Sequence, residues 1–209
     1  MLKFKQFLEG IESQPGSQRT QLKSKNPRGG TVGTYVKSAE YLKDKLPEKS
    51  KVLDYGAGAG QGSAAMREIL GQNHSVETYE PQPQDWEPNY TDSDKIKNRY
   101  DGVVSHNVLN VLGPKLRSQV TSHLLSLVKP GGHVIVNARK WTGDVNKTKN
   151  FIPSEDEEKA LWVKGKNNEH TYHKGFDNNE LLDYLKAHDP EENFNFIRKG
   201  DKVYGNRKL

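Results

Sequence analysis

The chain has 209 residues with 32% apolar side chains, a net charge of +5 and a pI near 9.1, which fits one polar domain with an arm or an insertion. It has no cysteine, which excludes disulfides, thiolate metal sites and cysteine nucleophiles. No apolar run approaches the roughly 18 residues of a membrane span, and the first residues lack the apolar stretch of a signal peptide, so the expected location is the cytoplasm.

Residues 1–12 place Leu2 or Phe4, Phe7, Leu8 and Ile11 on one face of a short amphipathic helix. Ser13 to Gly30 is rich in Ser, Gln, Gly, Pro and Lys and reads as a linker or a ligand-ordered loop. Residues 1–50 hold ten Lys and Arg against five Asp and Glu, so the charge excess lies there; it reads as a solvated, flexible arm, with a weak nucleic-acid contact through residues 15–30 as the alternative. Domain organisation is therefore read as a basic helix and arm over 1–30 and one domain over 31–209. Thr31 to Leu46 resumes helical spacing, with Thr31 or Thr34 as N-cap, Pro47 as stop, and Tyr35 placed either to cover a ligand or to pack in the core.

Val52-Leu53-Asp54-Tyr55-Gly56-Ala57-Gly58-Ala59-Gly60 is the organising stretch: an apolar strand reaches an acid, then breaks into glycines at alternate positions. Such glycines adopt positive φ and let a ligand approach the backbone. Ser63 to Leu70 reads as the following helix, whose start offers unpaired N–H groups. Ser75 to Glu80 is a second strand ending in an acid, where a carboxylate can accept two vicinal ribose hydroxyls. Pro81, Pro83 and Pro88 then bar a helix, and a short third strand is expected near Trp86 to Thr91, with Asp92, Ser93 or Asp94 within reach of a base edge.

Asp101 to Ser105 reads as a buried parallel strand ending in Ser105-His106-Asn107, polar groups at the crevice end of the sheet. His106 is the candidate proton acceptor if the acceptor is a hydroxyl; with an amine, Ser105, His106 and Asn107 only orient it. Pro114 to Val128 is a helix, ended by Lys129-Pro130-Gly131-Gly132 before the strand His133 to Ala138. The connection from 139 to 176 is long for this architecture and reads as a lid-like insertion. Its candidate substrate or lid residues are Arg139, Trp141, Trp162, Tyr172 and His173, joined by Asn110 and Tyr35. Asp177 is expected to cap a helix through Leu185, and 193–204 to form an antiparallel hairpin turning at Gly200-Asp201.

Taken in order, these features resemble the class I S-adenosylmethionine-dependent methyltransferases. Val52 to Gly60 is similar to their first motif, Glu80 to their ribose-binding acid, Tyr100 to Asn107 to their fourth motif, and Leu127 to Val136 to their "LKPGG" turn and fifth strand. The resemblance implies a Rossmann-like αβα sandwich with a mostly parallel seven-stranded sheet and a C-terminal antiparallel hairpin. It implies S-adenosylmethionine as cofactor, with S-adenosylhomocysteine as product and no metal. It further implies cofactor contacts at Asp54, Gly56, Ala57, Gly58, Gly60, Glu80, Pro81, Ser105 and His106, and chemistry at His106 and Asn107. A nicotinamide dehydrogenase would want G-x-G-x-x-G, which Gly56-Ala57-Gly58-Ala59-Gly60 is not. Cytosine C5 methylation needs the missing cysteine, and the tetrapeptide of exocyclic DNA-amine methylation is replaced by Ser105-His106-Asn107-Val108. Small-molecule, protein and RNA acceptors stay open, as does a cofactor-binding accessory protein without transfer activity. Lys3 to Glu9 resembles the starts of some tailed-phage proteins, which implies a host cytoplasm if the chain is phage-encoded.

Overall fold

The computed structural model describes residues 30–83, 85–164 and 170–209, so the expected N-terminal helix and arm lie outside the described residues. In chain order the main elements are α1 (Gly30–Lys43), β1 (Lys51–Tyr55), α2 (Gln61–Leu70), β2 (Ser75–Tyr79), β3 (Tyr100–His106), α3 (Pro114–Ser126) and β4 (Val128–Asn137). They are followed by β5 (Phe151–Pro153), β6 (Ala160–Lys164), β7 (His170–Lys174), α4 (Glu180–Ala187), β8 (Phe194–Lys199) and β9 (Lys202–Arg207). The main sheet runs β2-β1-β3-β4-β9-β8; the first four strands are parallel, and β9 and β8 join antiparallel.

Strand alternation divides the core into two layers. Val52, Val104, Ile135 and Tyr204 pack with Tyr35, Leu42 and Met66 of the α1/α2 face. Leu53, Val103, Val134 and Val203 pack with Leu116, Leu124 and Leu185 of the α3/α4 face. With a side-chain period of two, Asp54, His106 and Asn137 fall on the α1/α2 side of the sheet. Gly62 lets α2 cross α1 closely, since a Cβ there would lie 2.3 Å from the Tyr35 ring.

Four expectations change. The third strand is reduced to a single parallel bridge, Tyr79 to Tyr90, so the main sheet has six strands among the described residues. The neighbouring Thr78 N–H donates to the Asn89 side chain instead of a strand, and prolines at 83 and 88 remove further donors. Lys129-Pro130-Gly131-Gly132 does not precede β4 but lies inside it. Tyr100 pairs with Val128 and Gly102 with His133, so between these pairs the four residues 129–132 of β4 oppose the single Asp101 of β3, with Gly131 at φ +75°. Thr31 and Thr34 lie inside α1 rather than capping it, and the helix ends at Lys43, before Pro47. Asp177 does not cap α4; its carboxylate accepts from the Thr142 N–H and hydroxyl, and Asn179 stands at the cap.

The 139–176 insertion forms its own antiparallel sheet, β5-β6-β7. Its two ends meet where a Cβ on Gly175 would be 2.5 Å from the Trp141 nitrogen, so only glycine permits that approach. Below it, the fully buried Arg117 forms a bidentate pair with Glu157, which also accepts from the Tyr172 hydroxyl at 2.6 Å. This pair ties the insertion to α3. No helix of the described residues is long and apolar enough to cross a membrane.

Candidate active site

The glycine turn after β1 is shaped by backbone bonds. Gly56 N–H and Ala57 N–H both donate to the Tyr79 carbonyl, at 2.8 and 3.0 Å, which lashes the turn to the end of β2. Gly56, Gly58 and Gly60 take φ of +84°, +56° and +76°. At Gly56 a Cβ would also strike Val108 at 2.3 Å. Gly60 sits at the N-cap of α2, so the turn runs directly into that helix's amino end.

Glu80 follows β2 and faces this turn: its Oε2 accepts from Gly58 N–H at 2.7 Å and its Oε1 from Gln82 N–H at 3.2 Å. Burial raises its pKa while these two amides oppose the rise. Each carboxylate oxygen keeps a second lone pair, the acceptor capacity that a ribose diol needs. Pro81 continues the chain beside it.

Asp54 is fully buried beneath the turn, as strand alternation requires. It accepts from Tyr35 Oη at 3.0 Å and from Ser63 Oγ. Burial pushes its pKa up to about 7, against the lowering effect of the two hydroxyls. Asp54 therefore braces β1, α1 and α2 together from below. Of the two roles open to Tyr35, the structure shows the core one: it is buried and bonded to Asp54, with its ring edge-on to His106 at 4.6 Å.

His106 is fully buried on the same face. Ser38 Oγ donates its only proton to the Thr34 carbonyl, so it accepts at 3.0 Å from His106 Nε2, and the proton of the ring is on Nε2. Its Nδ1 has no hydrogen-bond partner. Burial, with Lys202 nearby, pulls the pKa down to about 3. This is a neutral ring and a weak proton acceptor, which disfavours the base role offered for a hydroxyl acceptor. Ser105, on the opposite face, is also buried with an unpartnered hydroxyl.

Past the end of β3 lies a cavity of about 990 Å³. Asn107, Asn110, Arg139 and His173, all expected from the sequence, line it together. Asn107 adopts φ +59°, a left-handed turn that asparagine tolerates. Asn110 is buried at 1% exposure and its Oδ1 is unpartnered. Arg139 grips Asp144 with two bonds of 2.5 and 3.1 Å and reaches His173 Nδ1 at 3.0 Å. Because a guanidinium only donates, His173 carries its proton on Nε2; burial, then Arg139, lower its pKa to about 4.

Thr34, Asn137, Lys140 and Asp201 also line the cavity and are not among the candidate site residues read from the sequence. Asn137 Nδ2 donates to the Asp201 carboxylate at 2.9 Å, joining β4 to the hairpin turn. The signal for Asn137 was its place at the crevice end of β4; Asp201 was read only as a turn residue. Tyr172 belongs to the Glu157 anchor and, with Trp162 edge-on at 5.0 Å, to the insertion's own core, not to a cavity wall. Trp141 lies between the lining residues Lys140 and Thr142 in sequence. Asp92 caps a short 3-10 turn through Asp94 N–H rather than facing the crevice.

The residues present fit an adenosyl ligand. Glu80 supplies diol acceptors beside the glycine turn, and the turn opens into the amino end of α2. No group of three or more His, Asp and Glu among the described residues could hold a metal ion.

A family model described as a methyltransferase domain matches residues 33–197. A comparison with curated proteins found no match. The fold is similar to the PH0226 protein of Pyrococcus horikoshii, with TM-score 0.64 and 15% identity over 91% of this chain and 97% of that one. It is similar to a Burkholderia thailandensis 1,6-didemethyltoxoflavin-N1-methyltransferase with bound S-adenosylhomocysteine, with TM-score 0.55 and 13% identity over 99% and 84%. It is also similar to the sugar N-methyltransferase KedS8 of a Streptoalloteichus species, with TM-score 0.57 and 10% identity over 99% and 93%. Because the family model spans well over half of its length, the chain belongs to the methyltransferase-domain family and is an enzyme of methyl transfer.

Proposed function

We propose that this enzyme moves a methyl group from S-adenosylmethionine to a nitrogen of a small polar acceptor seated in the Asn107–Asn110–Asn137 cavity. The bound cofactor supplies an electrophilic methyl on a sulfonium. Glu80 receives the ribose hydroxyls, the Gly56–Gly60 backbone approaches the ligand's amino-acid end, and Asp54 holds that turn from beneath without touching the ligand.

The observation that carries the nitrogen reading is the state of His106. A hydroxyl acceptor must lose a proton around the time of attack, so it needs a base. A neutral amine already has its lone pair, and positioning supplies most of the acceleration. His106, the one histidine at the end of β3, is held neutral, buried and bonded to Ser38. The unpartnered Asn110 Oδ1 suits an acceptor N–H, leaving the nitrogen lone pair free to attack. Nitrogen keeps its hydrogens during attack, and one proton leaves to water afterwards. The similar Burkholderia and Streptoalloteichus proteins are N-methyltransferases by name.

The test is incubation with S-adenosylmethionine carrying a ¹³C methyl, against separate small-molecule, protein, RNA and DNA pools. Carbon NMR then separates N–CH3 from O–CH3. An N–CH3 signal in the small-molecule pool is expected. An O–CH3 signal, or label in a macromolecular pool, overturns the acceptor reading.

A further inference from the structure

Past Glu80, the described residues up to Tyr90 are tied back to β2 and to the glycine turn. Both ends are pinned to the tip of β2: Glu80 N–H donates to the Tyr90 carbonyl and Tyr90 N–H to the Thr78 carbonyl, each at 3.0 Å. The side chains of Asn89 and Thr78 interlock beside them, with Asn89 Oδ1 accepting from both the Thr78 N–H and hydroxyl. Trp86, far from this pinned base, reaches back to the glycine turn. Its Nε1–H donates to the Gly58 carbonyl at 2.7 Å, and its ring lies 3.2 Å from where a Cβ on Gly60 would be.

The consequence concerns Gly58. Glycine is the least restrained residue, so a turn containing three of them has no intrinsic reason to hold one shape. Here the two peptide planes on either side of Gly58 are fixed from outside. Glu80 takes the N–H of one, and Trp86 donates to the carbonyl of the other. The indole ring then covers Gly60, where α2 begins.

We propose that Trp86 is a positioning residue for the cofactor turn. It holds the Gly58–Gly60 backbone in its ligand-receiving shape, so that binding does not have to order the turn. The inference rests on the cofactor reading above and adds a residue outside the motifs that carried that reading. Only tryptophan satisfies both halves of the role: phenylalanine keeps an aromatic face on Gly60 but has no N–H for Gly58.

The experiment is calorimetric titration of S-adenosylhomocysteine into wild type, Trp86→Phe and Trp86→Ala. Thermal unfolding is recorded for each, and 5-fluorotryptophan is incorporated for ¹⁹F NMR. Loss of one hydrogen bond worth about 1 kcal/mol corresponds to roughly fivefold weaker binding in Trp86→Phe, and Trp86→Ala is expected to lose more. The ¹⁹F resonance of Trp86, assigned by its disappearance in Trp86→Phe, is expected to shift on ligand addition while that of Trp162 stays still. A purely structural tryptophan would not show that shift. Should Trp86→Ala fail to fold, Trp86→Phe and the ¹⁹F titration still decide. Wild-type affinity in Trp86→Phe, tighter binding in either variant, or an unmoved Trp86 resonance overturns the proposal. No binding by the wild type is a different failure, which removes the cofactor reading and this inference with it.

Discussion

At the β1 end of the crevice the backbone is pinned peptide by peptide, while at the β4 end side chains pair with one another around an open cavity. The glycine turn is held by the Tyr79 carbonyl, Glu80, Trp86 and the buried Asp54. The cavity is walled by Arg139 with Asp144 and His173, and by Asn137 with Asp201. Few backbone bonds depend on those pairs. The first end is main chain held from several sides, whereas the second is lined by side chains. The two ends should therefore fail separately.

The largest expected effect lies in neither end but in the anchor that carries the insertion. Glu157→Ala leaves Arg117 buried without its partner charge. This should cost about 3 kcal/mol, the lower end for such a loss because Glu157 is 22% exposed. Denaturant unfolding should show that drop, while S-adenosylhomocysteine affinity stays within about twofold of wild type. A parallel fall in affinity would show that the two ends are coupled through the anchor.

Next come two opposed pH dependences. His106 titrates near 6.5 when unfolded but near 3 when folded, so below pH 6.5 the unfolded chain binds the extra proton and stability falls as pH drops. Asp54 does the reverse. Its proton is lost near 3.8 when unfolded and near 7 when folded, so stability falls as pH rises across that window. Each contributes up to about 1.4 kcal/mol per pH unit, and in the wild type they partly cancel. Unfolding measured from pH 4 to 7 should tilt one way in His106→Gln, where stability should fall more steeply as pH rises. It should tilt the other way in Asp54→Asn, where stability should rise more steeply. Parallel profiles in the two variants would refute the assigned protonation states.

The smallest effect on stability belongs to Arg139→Ala. Its pair with Asp144 is part-exposed on both sides, at 31% and 45%, and should be worth less than about 1 kcal/mol. Cofactor affinity should not change. The rate of methyl transfer should fall, because His173 loses the donor that fixes its tautomer. An unchanged rate would take the Arg139 wall out of the acceptor site.

The strand, turn and helix at the β1 end were legible in the sequence because their signals are local. An apolar run meeting an acid and alternating glycines specifies strand, turn and helix within twenty residues, and Glu80 falls one strand later. The roles of individual residues were less legible. Asp54 and His106 share strand parity with Val52 and Val104, which places them under the sheet's α1/α2 layer instead of at its ligand edge. That alternation was in the sequence, but it acquires meaning only once α1 is known to cover the face. Trp86, Ser38 and Asp201 depend on contacts made 28, 68 and 64 residues away, and no local pattern marks them. The glycines of 129–132 misled for a related reason: they signal a turn, yet the pairing of β4 with β3 absorbs them as an irregularity within the strand.

The most direct test of the account is titration of S-adenosylhomocysteine into the wild type and into Glu80→Ala. A saturable one-to-one binding heat in the wild type, weakened at least about tenfold in the variant (about 1.4 kcal/mol) with little change in unfolding temperature, is expected if the glycine turn and Glu80 form the cofactor site. Absence of binding by the wild type, or equal affinity in the two proteins, would contradict it.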